Sequence, residues 1–221
     1  MKKIDVFANL LGKVVNLQQT ASLDVDPQWG FSELCPNELP VPGALEIVSV
    51  LNEQASHVKL RVASKDAHSI NALWIADVNK PQFSVIEGHK DLDIRWNAHC
   101  IVGTPGFEFL PGLNPEAYSF IAFKGIEPDM HPYGACYHDL ADTKSTGLIE
   151  FLQQNGIRNI IVGGLATSYC VKKTVLQLCA SNHFQVFVNL AACRDITGAP
   201  TAASITEMEA AGAIVLNDLN S

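Results

Sequence analysis

Short apolar runs alternating with helix-length amphipathic stretches are the feature that most restricts how this chain can fold. Residues 21–26, 58–65, 118–124, 159–162, 184–190 and 213–216 each read as a strand. Between them lie segments with helical spacing. One follows Pro42-Gly43 and carries Leu45, Ile47, Val48 and Leu51, and others cover 145–155, 167–181 and 201–211. Apolar strands separated by helices form βαβ units, whose sheet is parallel and covered on both faces. The expected fold class is therefore α/β: a three-layer α/β/α sandwich around a mostly parallel sheet of about six strands. A loop-rich region with many Pro, Gly and Asn residues interrupts the pattern over roughly 66–116.

Ahead of the first strand, Ile4, Phe7, Leu11 and Val14 recur at helical spacing. That stripe predicts an amphipathic N-terminal extension over 1–20, with the main domain at 21–221. Such a stripe must be buried somewhere, either on its own domain or in a homo-oligomer, where terminal arms are a simple means of assembly. Asp5, Asn9 and Lys13 interrupt the segment and no small-residue cleavage pattern follows, which reads against a secretory signal.

Net charge of −8 argues against nucleic-acid and anionic-membrane partners, because both reward a basic face. No apolar run approaches the roughly 20 residues a membrane span requires. The six cysteines are scattered without a CxxC pair, so neither a zinc ribbon nor a redox dithiol is indicated. Free thiols in a reducing cytoplasm are expected. Each cysteine there is a small hydrophobe or a reactive group; Cys179 and Cys193 read as the former.

Sites in parallel sheets lie at the carboxyl ends of strands. That rule selects Asp26, Asp66, Lys124 and the loop before Cys170. Cys170 falls near the predicted start of a helix, where backbone N–H groups and the helix dipole favour a thiolate. Any one of these residues alone has an ordinary explanation: a turn carboxylate, a snorkelling lysine, a buried thiol.

Five segments together are far more specific: Val25-Asp-Pro-Gln-Trp-Gly-Phe31, Ser64-Lys-Asp-Ala-His68, Trp96-Asn-Ala-His-Cys-Ile-Val-Gly-Thr-Pro-Gly106, Phe123-Lys-Gly125 and Gly163-Gly-Leu-Ala-Thr-Ser-Tyr-Cys-Val171. In this order the chain closely resembles the nicotinamidase/pyrazinamidase branch of the isochorismatase-like cysteine hydrolases, over about 23–216. The resemblance implies an amidase that hydrolyses nicotinamide to nicotinate and ammonia in NAD salvage. Its nucleophile would be Cys170, with Asp26 as base and Lys124 as the third catalytic residue. It also implies a cis peptide between Leu165 and Ala166, with the Ala166 and Cys170 N–H groups as an oxyanion hole. Phe31 and Trp96 would sandwich the planar ring, and Tyr133 would line the same pocket.

The resemblance further implies one divalent metal ion on Asp66, His68 and His99. One carboxylate and two imidazoles suit Zn²⁺ first, with Fe²⁺ or Mn²⁺ as alternatives. Here the chain departs from its relatives, many of which carry a further ligand shortly after the Asp-x-His pair. The corresponding stretch is Ser-Ile-Asn-Ala-Leu-Trp74. Three protein ligands are expected, with Glu87 or His89 as alternatives for a fourth, while His131 and His138 read as surface or loop residues. Asp24 is an unusual charge in a central strand, and a supporting role beside Asp26 is the only reading the sequence offers. Two other functions fit less well: an amidase for another small amide or carbamoyl compound, and an inactive binding or redox-sensing module.

Overall fold

The computed structural model describes residues 16–198 and 200–216. The predicted helix through Ile4, Phe7, Leu11 and Val14 lies outside the described residues. The strands are β1 (Thr20–Val25), β2 (Leu60–Asp66), β3 (Phe120–Lys124), β4 (Asn159–Leu165), β5 (Gln185–Arg194) and β6 (Ile214–Leu216). The α-helices are α1 (Ile47–Ser56), α2 (Leu148–Gln154), α3 (Lys172–Ala180) and α4 (Ala202–Ala210). The sheet runs in the order β3-β2-β1-β4-β5-β6, and every pairing is parallel. This is the expected α/β architecture.

Side-chain alternation along the strands separates two cores. Leu23, Val25, Val62, Ile160, Val162, Val186 and Val188 face α2, α3 and α4, meeting Leu148, Leu152, Val175, Leu178 and Met208. Ala63, Leu165 and Ala192 face the other way, against Ile47 and Leu51 of α1 and the loop aromatics Phe31, Trp74, Trp96 and Phe109. Burying each of the larger side chains contributes about 1.5–3 kcal/mol. The long connection between β2 and β3 thus replaces a crossover helix with a packed loop layer. No helix among the described residues is long and apolar enough to cross a membrane.

Strand order turns around between β1 and β4, because the chain leaves β1 toward β2 and β3 and returns to β4 on the opposite side. The connections leaving the carboxyl ends at such a switch run to opposite sides and leave a crevice between them. Gly164 lets the two strands approach closely there. It has φ of 134°, and a Cβ on it would lie 2.1 Å from the Val25 carbonyl oxygen. β4 continues through Gly163 and Gly164 to Leu165, three residues beyond the expected strand end.

The charge at Asp24 is explained by the layer under α1. Its Oδ2 accepts hydrogen bonds from Arg61 Nε at 2.9 Å, Arg61 Nη2 at 2.7 Å and the Tyr118 hydroxyl at 2.9 Å. Its Oδ1 accepts from Ser22 Oγ, which itself accepts from Gln54 Nε2 at 2.9 Å. Gln54 Oε1 accepts in turn from Asn189 Nδ2. Asp24 therefore cross-links β1, β2, α1 and β5 rather than contacting Asp26. Removing one partner of a buried ion pair costs about 3–5 kcal/mol, because the other charge stays buried. Asp24→Ala should lower unfolding stability by about that amount in urea titrations, while turnover per folded molecule stays near wild type.

Candidate active site

Three strand ends and one strand-to-helix turn converge on the switch-point crevice. Asp26 follows β1 with φ of 47°, a left-handed conformation uncommon outside glycine. Ser64 holds it there: the Asp26 N–H donates to the Ser64 carbonyl at 3.2 Å, and Ser64 Oγ donates to Asp26 Oδ1 at 2.6 Å. Gln28 clamps the neighbouring strand end, accepting from the Asp66 N–H at 2.8 Å and donating to the Asp66 carbonyl at 2.9 Å. Asp66 and Lys124 are register partners at the ends of β2 and β3. After β4, the Leu165–Ala166 peptide is cis. Residues Thr167–Val171 then form a single π-helical turn, with the Val171 N–H bonded to the Ala166 carbonyl at 3.2 Å. Cys170 sits in that turn, ahead of α3.

Lys124 is wholly buried, and its ammonium is the hub of the charges. Nζ lies 3.0 Å from Asp26 Oδ2 and 3.7 Å from Cys170 Sγ, and it donates to Asp66 Oδ1. Burial opposes the ammonium, yet Asp26, Asp66 and Cys170 around it hold its pKa well above the usual lysine range. For Asp26, burial outweighs Lys124 and pushes the carboxyl up to about 6. Asp66 goes the other way: despite burial, Lys124 and the adjacent histidines keep it well below the usual range.

The Cys170 thiol departs from expectation. Burial, with Asp26 and Asp66 as nearby anions, pushes it well above the ordinary cysteine range despite Lys124. A π-turn inside the protein does not supply the exposed helix start that favours a thiolate. The resting pair is therefore a thiol and an ionisable carboxylate, with Lys124 Nζ beside both. This arrangement can deliver a thiolate on demand, with Asp26 taking the proton.

A histidine cluster adjoins this triad. Asp66 Oδ2 lies 3.4 Å from His68 Nε2 and 3.8 Å from His99 Nε2. The other nitrogens meet backbone carbonyls: His68 Nδ1 lies 3.1 Å from Gly125 O, and His99 Nδ1 lies 2.7 Å from Asn97 O. Such carbonyl contacts fix ring orientation and leave Nε2 free to bind a cation. Gly125 is required for this approach, since a Cβ on it would lie 2.4 Å from His68 Cε1. Burial lowers the His68 pKa, which keeps the imidazole neutral. Glu87 and His89 are exposed, and His138 is half-buried. His131 corrects the sequence reading: it is buried beside His68 and His99, with the three rings mutually in contact. Its distance along the chain from the Asp-x-His pair concealed it.

Phe31, Trp96, Tyr133, Ala166 and Cys170 line a common narrow cleft. His131, Tyr169, Leu39 and Ile196 also line it and are not among the candidates that the sequence suggests. Trp96 Nε1 donates to the Tyr133 hydroxyl at 3.2 Å, and that hydroxyl donates to Asp93 at 2.9 Å, which ties two loops into one wall.

The family model for the isochorismatase domain matches residues 25–218. This chain belongs to the isochorismatase family. Within the family it falls in the nicotinamidase/pyrazinamidase branch. It is 31% identical over 197 residues to the nicotinamidase/pyrazinamidase of Mycobacterium tuberculosis, covering 86% of this chain and 95% of that one. The structure of the Acinetobacter baumanii nicotinamidase/pyrazinamidase superposes with a TM-score of 0.79 at 30% identity, covering 90% of this chain and 96% of that one. The Pyrococcus horikoshii pyrazinamidase, solved in complex with zinc, gives a TM-score of 0.68 at 25% identity, covering 90% and 98% of the two chains. The family's strand-end motifs and the convergence of Asp26, Lys124 and Cys170 thus occur in one chain.

The charge arrangement makes a prediction that does not depend on turnover. Asp26 is one of the anions that raise the Cys170 thiol. In Asp26→Asn, Lys124 is less opposed, so the midpoint of the alkylation-rate profile of Cys170 against pH should fall. Peptide-resolved mass spectrometry after iodoacetamide pulses reads that midpoint. A midpoint at or above that of the wild type would contradict the coupling.

Proposed function

We propose that this chain is an amidase that hydrolyses nicotinamide to nicotinate and ammonia through a thioester on Cys170, returning the pyridine ring to NAD synthesis. The observation that carries this reading is the buried contact of Lys124 with Asp26 and Cys170 at the floor of an aromatic-lined cleft. The relatives' activities point the same way. A flat ring enters between Phe31 and Trp96, whose faces favour an aromatic amide over an aliphatic one.

Asp26 removes the Cys170 proton as sulfur attacks the amide carbon. The carbonyl oxygen becomes an oxyanion held by the Ala166 and Cys170 N–H groups; one such donor is typically worth about 3 kcal/mol. Lys124 balances the negative charge that moves between Asp26 and sulfur. Protonated Asp26 then gives its proton to the leaving nitrogen, and ammonia departs. Water attacks the remaining thioester with Asp26 again as base. Nicotinate leaves, and Cys170 recovers its proton.

A divalent cation fits beside this triad, because His68 Nε2 is buried without a hydrogen-bond partner and faces the Asp66 carboxylate. Asp66, His68 and His99 would hold it. The donor set favours zinc, as in the Pyrococcus horikoshii protein, over iron or manganese. When bound, the ion supplies a positive anchor for the substrate's ring nitrogen.

Two outcomes test the proposal. Cys170→Ala should lower ammonia release from nicotinamide by at least about a thousandfold while metal content and fold are retained. An ammonia assay with parallel metal analysis reads both, and activity within tenfold of wild type would exclude the covalent route. The second outcome is pH dependence. Asp26 must be ionised to act as base, and burial places its pKa at about 6. Activity should therefore be present above that pH, and kcat/KM should fall about tenfold per unit as pH drops below it. A flat profile down to pH about 4.5 would remove Asp26 from the base role.

A further inference from the structure

The segment that follows the Asp-x-His pair offers no further metal donor, and the structure brings a histidine from another loop beside His68 and His99. His131 lies on the loop between β3 and α2, where its N–H donates to the Asp91 carbonyl at 3.0 Å. The side chain is 4% exposed, and neither ring nitrogen has a hydrogen-bond partner. An imidazole has one donor and one acceptor nitrogen when neutral, and burying both unsatisfied costs free energy unless something takes them up. The rings of His68 and His99 lie beside that of His131. One nitrogen each from His68, His99 and His131 lies within 4.8 Å of the others, a spacing that lets all three reach a single cation. His68 Nε2 is likewise buried without a partner. Trp74 flanks His131 edge-on with centroids 4.6 Å apart, closing the cluster from the apolar side.

We propose that His131 is a further protein ligand of the metal, so that the cation is held by three imidazoles and the Asp66 carboxylate. The inference rests on the metal reading given above and adds to it the residue that replaces the missing donor. It also gives the metal a second consequence. His131 lines the substrate cleft, and Tyr133, two residues along, lines it too. Binding the ion would therefore anchor one wall of the cleft as well as present a charge to the ring. The rival role for His131 is packing alone, as a ring between Trp74 and Trp96.

The full chain loaded with spin-active cadmium and carrying isotope-labelled histidine nitrogens separates these roles without any substitution. Nitrogen–cadmium coupling on three histidines, one of them His131, is the expected result. Coupling on His68 and His99 alone would overturn the His131 assignment and leave the metal reading standing. Absence of stoichiometric metal in the wild type would overturn the metal reading itself. His131→Phe provides a second test, because it keeps an aromatic ring in the packed position. Zinc affinity by chelator competition should weaken by more than about a hundredfold, beyond the loss expected when only an outer contact changes. Wild-type affinity in a folded His131→Phe protein would overturn the assignment.

Discussion

The site depends on one buried cation. Lys124 carries its ammonium into a region without solvent, and only the two carboxylates beside it make that tolerable. The dependence is mutual, since Asp26 and Asp66 are themselves buried and could not both remain ionised without it. Each of the three comes from a different strand end, so the ion cluster also ties the carboxyl ends of β1, β2 and β3 together. Asp66 then faces two ways: one oxygen meets Lys124 and the other meets His68 and His99. The triad and the proposed metal centre are thus electrostatically one unit. Changing the charge on either side changes the other.

The same network accounts for how an unreactive thiol becomes a nucleophile. Burial keeps Cys170 protonated, which protects it from chance oxidation and alkylation. Asp26, raised by burial into the range near 6, is matched to take that proton and return it to a leaving amine. Neither group would be poised this way in water. The left-handed turn at Asp26, held by Ser64, aims the carboxylate, and the π-turn at Cys170 aims the sulfur. Under α1, the Asp24–Arg61 pair with Tyr118 and Gln54 stiffens the strands that carry these turns.

The strands and helices were legible because burial imposes period and length on the sequence. Runs such as Ile160-Ile161-Val162 have no other plausible location, and the strand-end rule then picked out Asp26, Asp66 and Lys124. The family resemblance assigned their roles. Features set by tertiary contact were not legible. β4 runs on through two glycines because Gly164 must pass close to Val25, which local propensity cannot express. The charge at Asp24 is set by Arg61 on the neighbouring strand, a partner that lies 37 residues away in sequence. His131 is a loop residue but not a surface one, because it reaches His68 through space, and no spacing motif links a loop after β3 to a loop after β2. Its Pro-flanked position near Tyr133 was the one available hint. The thiolate expectation for Cys170 failed for a similar reason, since a helix start predicts a lowered pKa only where burial and nearby anions do not outweigh it.

The central claim is that Cys170 sulfur bonds to the carbonyl carbon of a pyridine ligand held in the cleft. An aldehyde in place of the carboxamide tests this directly, because attack then stops at a tetrahedral adduct resembling the reaction's own intermediate. Pyridine-3-carbaldehyde labelled at the aldehyde carbon should lose its carbonyl resonance on binding and show a tetrahedral carbon bonded to sulfur. That signal should be absent in Cys170→Ala. Tight, stoichiometric binding of the aldehyde with its carbonyl resonance intact would contradict the account.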